Sequence, residues 1–135
     1  MQNKLLTFLV DDDEDDHEFF AMVMKDSFEY VECVFANDGL QAIRKLNSDS
    51  SFVPQIILID INMPRVNGIE LLSEIKKLQR LEHAFIYMYS TSAEPAVVEK
   101  CIALGANGFI KKEATEAALQ KKFSEIVQKF RAHEQ

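Results

Sequence analysis

Three groups of residues in this sequence are of types that do phosphoryl chemistry when they meet. The first is the acidic run Asp11-Asp12-Asp13-Glu14-Asp15-Asp16, directly after Leu5-Leu6-Thr7-Phe8-Leu9-Val10. The second is Asp60, which closes the apolar run Ile56-Ile57-Leu58-Ile59. The third is a hydroxyl and an ammonium: Ser90 follows the apolar stretch 84–89, and Lys112 lies just past Gly108-Phe109-Ile110-Lys111. Clustered carboxylates are costly unless protons or a metal neutralise them. Their hard oxygens suit Mg²⁺, which takes one or two carboxylates and keeps waters and phosphate oxygens. A carboxylate oxygen can also attack phosphorus and give an acyl phosphate. The transferred group carries negative charge on its equatorial oxygens, so catalysis is mostly positioning and neutralisation. Mg²⁺ held by Asp12, Asp60 and a backbone carbonyl would act on one side and Lys112 on the other. Ser90 would hydrogen-bond a phosphoryl oxygen.

For these groups to converge, each must end a strand of one sheet. Five short apolar runs read as strands, at 4–10, 31–35, 55–60, 84–89 and 108–111. The central run reads as a strand buried on both faces, and Val31, Cys33 and Phe35 as a half-exposed edge strand. Helical spacing of apolar residues follows each strand. Phe19, Phe20, Val23 and Met24 predict a helix to about Phe28. Leu40, Ile43 and Leu46 predict a second, after the turn Asn37-Asp38-Gly39. Ile69, Leu72, Ile75 and Leu78 mark a third. Pro95 opens a fourth, with Val98, Cys101 and Ile102 apolar and Gly105 ending it. Leu119, Phe123, Ile126 and Phe130 stripe a fifth, to about Ala132. Thr91 or Ser92 is a candidate cap for the fourth helix.

Alternating strands and helices predict an α/β fold: a doubly wound, five-stranded parallel sheet with right-handed crossovers. In the order 2-1-3-4-5, strands one and three flank the switch point, where such sheets bind ligands. Asp11, Asp12 and Asp60 then share one crevice.

The chain has 135 residues, enough for one domain with a core, and a net charge of −7, which disfavours nonspecific binding to nucleic acid or anionic membrane. No apolar stretch approaches the roughly 18 residues of a membrane span. No signal peptide is visible, so the expectation is a cytoplasmic protein. Cys33 and Cys101 lack metal-ligand spacing and read as buried, reduced residues. His17, His83 and His133 are scattered and read as surface residues. Asp13 to Asp16 have a plain explanation as charges favoured by the dipole at a helix start.

The chemical residues lie inside longer motifs: FLVDDDEDD at 8–16, ILIDINMPRVNGIELL at 57–72, YSTSAEP at 89–95 and LGANGFIKK at 104–112. On these motifs, residues 4–132 resemble a response-regulator receiver domain of the chemotaxis-regulator (CheY) type. The resemblance implies that Asp60 is the phosphoacceptor. It implies that Asp12 is a direct Mg²⁺ ligand, that Asp11 acts more through water, and that the Asn62 main-chain carbonyl completes the metal site. Ser90 matches the switch hydroxyl, Phe109 the aromatic that moves with it, and Lys112 the phosphate-binding lysine. Strand alternation lets only one of Lys111 and Lys112 face the site, and the spacing from Ser90 selects Lys112. The family usually has a cis proline after this lysine. Glu113 stands there instead, which implies either a trans peptide and a reshaped loop or a strained cis bond.

The resemblance further implies a phosphoacceptor switch in two-component signalling rather than an enzyme with an external substrate. Its partners would be a sensor histidine kinase or histidine phosphotransfer protein upstream and an unidentified protein downstream. Residues 1–135 would be a single receiver domain without an output domain, a monomer or weak dimer that contacts neither nucleic acid nor membrane directly. A Mg²⁺-dependent phosphohydrolase would want a second aspartate at position 62, where Asn stands. A flavodoxin-like cofactor binder would want a hydroxyl- and glycine-rich loop where six acids stand. A receiver-like module that only binds proteins would not need the full set of acids, hydroxyl and lysine.

Overall fold

The computed structural model describes residues 4–113 and 115–134. Along the chain run β1 (Leu5–Val10), α1 (Glu14–Ser27), β2 (Val31–Ala36), α2 (Gly39–Ser48), β3 (Ile56–Asp60), α3 (Gly68–Lys76), β4 (Phe85–Ser90), α4 (Pro95–Ala103), β5 (Gly108–Lys111) and α5 (Glu116–Glu134). The strands form one parallel sheet in the order β2-β1-β3-β4-β5. This is the doubly wound α/β sheet that the alternation predicts.

Side-chain alternation divides the core between the two faces. Leu5, Leu9, Ile56, Leu58, Tyr87, Tyr89 and Ile110 meet α1 and α5 on one face. Phe8, Val10, Ile57, Ile59, Ile86 and Met88 meet α2, α3 and Cys101 of α4 on the other. β3 is buried along its whole length, which is why it reads as an unbroken apolar run. On the α1/α5 face, Phe123 lies edge-on to Phe20 and Phe28, with centroids 5.7 and 5.2 Å away. Such aromatic pairs add to the area they bury.

Four local outcomes differ from the sequence reading or settle it. α3 stops at Lys76, so Leu78 lies outside it: the Lys77 N–H bonds both Glu74 and Ile75 carbonyls, tightening the end, and a 3-10 turn follows at Gln79–Leu81. Neither Thr91 nor Ser92 caps α4. Glu94 stands at that position without a side-chain cap bond, and Pro95 opens the helix. Cys33 is only half-buried, because β2 is an edge strand, whereas Cys101 is buried. No described peptide bond is cis, so Lys112 and Glu113 are joined in trans.

Candidate functional site

The ends of β1, β3 and β5 bring the chemical residues to one rim of the sheet. Asp11 follows β1, and its N–H bonds the Ala36 carbonyl of β2 at 3.1 Å. Asp13 caps α1, its side chain accepting from the Asp15 N–H at 2.9 Å. The chain therefore turns sharply and presents Asp11 and Asp12 together. Asp60 is the last residue of β3. The loop after it is tied back twice: the Gly68 N–H bonds the Ile61 carbonyl at 3.1 Å, and Asn67 and Glu70 form a capping box on α3. Gly68 packs so tightly beneath Asp60 that a Cβ there would lie 2.3 Å from the Asp60 carbonyl oxygen.

Asp11, Asp12 and Asp60 each offer a carboxylate oxygen, and these atoms lie within 4.8 Å of one another. Asp11 is fully buried and Asp60 nearly so, while Asp12 is exposed. Asp60 Oδ1 accepts from the Asn62 N–H at 3.1 Å, so the Asn62 peptide lies beside the carboxylate. Asp11 Oδ1 accepts from the Asp13 N–H at 3.0 Å. Burial is the largest influence on both carboxyls. It pushes Asp11 up to about 7 and raises Asp60, although Lys112 pulls both down. A neighbouring acid raises each further: Asp60 acts on Asp11, and Asp12 on Asp60.

Lys112 supplies the opposing charge. Its Nζ lies 2.8 Å from Asp11 Oδ2, 2.8 Å from Asp16 Oδ2 and 3.3 Å from Asp60 Oδ2. Burial alone would lower its pKa, but its close contacts with the Asp11 and Asp16 carboxylates outweigh this and hold it above the ordinary lysine value. Its backbone N–H bonds the Ser90 carbonyl at 2.8 Å, and its ammonium sits 5.5 Å over the Tyr89 ring. Lys111 points the other way and is exposed.

The donor set fits a hard divalent cation. All three clustered ligands are carboxylates, two are shielded from water, and the third opens to solvent, where a hydrated ion enters. Asp11 Oδ2 is buried without a hydrogen bond in good geometry, its charge met by the ammonium alongside. Asp11, Asp12 and Asp60 would hold such an ion.

Other expected residues are placed apart. The Ser90 hydroxyl donates to the Ser92 carbonyl at 2.9 Å and makes no bond to the Asp60 carboxylate. Ser90 follows Met88 in the alternation of β4, whereas Asp60 is paired in register with Tyr89 on the opposite face. Phe109 is half-buried against the core that contains Met88 and Cys101. A cavity of about 350 Å³ lined by Ile61, Asn62, Ser92, Ala93, Glu94 and Val97 opens beside the loops after β3 and β4.

Two residues at the rim escaped the sequence reading. Asp16 is a partner of Lys112, although a helix-start acid has a sufficient local explanation. His17 is half-buried: its Nε2 lies 2.7 Å from the Asp11 carbonyl oxygen, and its ring stacks on Phe35 at 5.0 Å. His83 and His133 are exposed, as expected of scattered surface histidines. Asp12 precedes the Asp13 cap and lies outside α1, so no helical spacing links it to Asp16, whose partner is 96 residues away.

Comparison with known proteins fits this geometry. Residues 7–124 match the family described as response regulator receiver domain. The chain is 36% identical over 103 residues to the chemotaxis protein CheY of Bacillus subtilis, covering 73% of this chain and 80% of that one. It spans 48% of the length of a matching transcriptional regulatory protein, DegU of Brevibacillus brevis, and 22% of that of a protein-glutamate methylesterase/protein-glutamine glutaminase of Methanospirillum hungatei. Among solved structures it is similar to the phosphorylated cyanobacterial phytochrome response regulator RcpA, with a TM-score of 0.80, 28% identity and 91% of each chain covered. It is also similar to the Mn²⁺-bound response regulator Rcp1, with a TM-score of 0.77, 28% identity, and 90% of this chain and 91% of that one covered. No helix of the described residues is long and apolar enough to cross a membrane. A family match over nearly the whole sheet, with the acidic rim and lysine inside it, means that the chain belongs to the response regulator receiver domain family.

Proposed function

We propose that this protein is a phosphoacceptor switch of two-component signalling that takes a phosphoryl group on Asp60. The observation that carries the reading is the position of the Asp60 carboxylate. It stands at the end of the central strand, between the clustered acids and the Lys112 ammonium. The donor would be a phosphohistidine of a sensor kinase or phosphotransfer protein. An Asp60 oxygen attacks phosphorus, the histidine nitrogen leaves, and an acyl phosphate remains. A bound Mg²⁺ supplies charge neutralisation for the phosphoryl oxygens. Asp11, Asp12 and Asp60 would hold that ion, with the Asn62 carbonyl as a further ligand. Lys112 meets the charge from the α5 side. The same groups assist loss of the phosphoryl group to water. We place the protein in the cytoplasm, where phosphorylated kinases present their histidines.

Ser90 and Phe109 are the proposed relay. Ser90 breaks its bond to the Ser92 carbonyl and turns to the phosphoryl group, and Phe109 moves into the space released. α4 is suited to report this change. Cys101 is its one buried residue among those described, while Ile102 and the following Leu104 are exposed apolar side chains. The face formed by α4, β5 and α5 is therefore the proposed partner surface, its two packings shifted in population by phosphorylation.

The test is intact mass after incubation with acetyl phosphate, with and without Mg²⁺, on the natural protein and on Asp60→Asn. A gain of one phosphoryl group that needs Mg²⁺ and Asp60 supports the reading. A gain of equal size in Asp60→Asn contradicts it. Amide spectra of the α4–β5–α5 face that stay unchanged on phosphorylation contradict the relay.

A further inference from the structure

The ammonium at the centre of the rim is fully engaged before any phosphoryl group arrives. A lysine ammonium has three N–H bonds. Three carboxylates meet it here, Asp11 and Asp16 at 2.8 Å and Asp60 at 3.3 Å. Asp16 and Asp60 accept in hydrogen-bonding geometry, and the Asp16 bond is the shorter. A phosphoryl oxygen can be met by Lys112 only if one of these partners gives way. Asp60 is the one that does, because phosphorylation converts its charged carboxylate to an acyl phosphate, a mixed anhydride.

We propose that Asp16 is the positioning residue for Lys112, the carboxylate that keeps its ammonium aimed at Asp60 when a cation and a phosphoryl group occupy the rim. The proposal rests on the reading of Asp60 as phosphoacceptor. Asp16 is not among the three carboxylates whose oxygens cluster within 4.8 Å, so a cation that engages Asp11, Asp12 and Asp60 leaves it free for the lysine. It stands on a firm element: α1 is capped by Asp13 and packs Phe20, Val23 and Met24 into the core. The Lys112 backbone is fixed separately by its bond to Ser90, so what Asp16 sets is the direction of the side chain. Tyr89 beneath the ammonium offers a ring face but no carboxylate. A cation on Asp11 and Asp60 would repel the ammonium, and a long, flexible lysine with its charge partners taken would turn outward to water. Asp16 opposes that turn. The pair is also sheltered enough to matter, Lys112 being 12% and Asp16 27% exposed at the side chain.

The plain alternative is that Asp16 merely complements the α1 dipole. Asp15 separates the two roles, because it carries the same charge in the same turn, is exposed, and has no described contact with Lys112. The experiment is ¹⁵N NMR of lysine ammonium groups in the Mg²⁺-saturated protein, with Lys112→Met assigning the signal. It is paired with the rate of phosphorylation against acetyl phosphate concentration. The expected result is a protected Lys112 signal that survives in Asp15→Asn, is lost in Asp16→Asn and is partly recovered in Asp16→Glu. The maximal rate should fall about tenfold in Asp16→Asn with the donor half-saturation unchanged, the scale of a loosened electrostatic contact. Adding Asp16→Asn to Lys112→Met should cost nothing more. A wild type without a protected signal, a signal that persists in Asp16→Asn, an equal loss in Asp15→Asn, or additive effects in the double variant would each overturn the proposal. If the natural protein takes up no phosphoryl group, the phosphoacceptor reading fails, and the ammonium signal alone decides the role of Asp16.

Discussion

Gly68→Ala should damage the protein through the backbone of Asp60. The Cβ would lie 2.3 Å from the Asp60 carbonyl oxygen, 2.8 Å from Ile61 Cα and 3.0 Å from the Asp60 carbonyl carbon. Carbon atoms rest comfortably about 3.5–4.0 Å apart, so the Ile61 contact alone demands a shift of roughly 0.7 Å. The obstructing atoms are backbone, so no rotamer change relieves the clash. Overpacking of this kind costs about 1–3 kcal/mol, and the upper part of that range applies here. Alanine returns at most about 1 kcal/mol of helix propensity at the start of α3. The net loss is about 1–2 kcal/mol, or roughly 3–10 °C in Tm for a chain of this size. Because the strand end itself must move, the stabilisation conferred by Mg²⁺ should shrink as well. Gly108→Ala is the control, since its Cβ would meet only the edge of the Tyr87 ring at 3.2 Å. That contact should change stability by about 0.5 kcal/mol or less. The assay is thermal unfolding by circular dichroism with and without Mg²⁺. A Tm for Gly68→Ala within about 1 °C of the natural protein, with an unchanged Mg²⁺ response, would mean that the Asp60 backbone accommodates the added methyl without strain.

Three further outcomes follow from the same contacts. Mg²⁺ at a hundred times its dissociation constant should stabilise the protein by about 2.7 kcal/mol, and chelation should abolish this gain; Asp12→Ala, scanned alongside, should lose most of it if Asp12 is a ligand. Lys112→Met leaves the buried Asp11 and Asp60 without their ammonium and should cost roughly 3 kcal/mol without metal. Urea titration should find part of that loss restored by Mg²⁺, and an equal loss in both conditions would argue against a shared site. Phe123→Ala removes a ring that is 1% exposed and should cost about 3–5 kcal/mol by the same titration, with the metal response retained in the folded fraction.

The sequence made the fold legible because each strand is a short apolar run and each helix carries its own stripe. Asp11 and Asp60 stood out because they end such runs, and strand order then places them side by side. The acidic run was harder to apportion. A helix-start acid is favoured wherever it stands, so nothing local distinguishes Asp16, whose partner lies 96 residues away. His17 was hidden for a related reason: its stacking on Phe35 depends on how α1 lies over β2. Leu78 matched the helical spacing of α3, but the spacing does not record where the carbonyls tighten into a 3-10 turn. The Ser90 hydroxyl finds a carbonyl two residues away, a bond that strand alternation does not foresee. Glu113 left the peptide geometry open, and the trans form was decided only by the folded chain.

Phosphoryl transfer to an Asp60 oxygen is tested most directly by finding where in the chain the phosphoryl group sits. Protein phosphorylated with acetyl phosphate and Mg²⁺ would be treated with borohydride, which reduces an acyl phosphate to an alcohol. Aspartate at the modified position becomes homoserine, and peptide mass spectrometry reads its place in the chain. Homoserine is expected at position 60, with unaltered aspartate at positions 11, 12 and 16. Homoserine at one of those three positions, or a phosphoryl group on His17 with Asp60 untouched, would contradict phosphoryl transfer to Asp60.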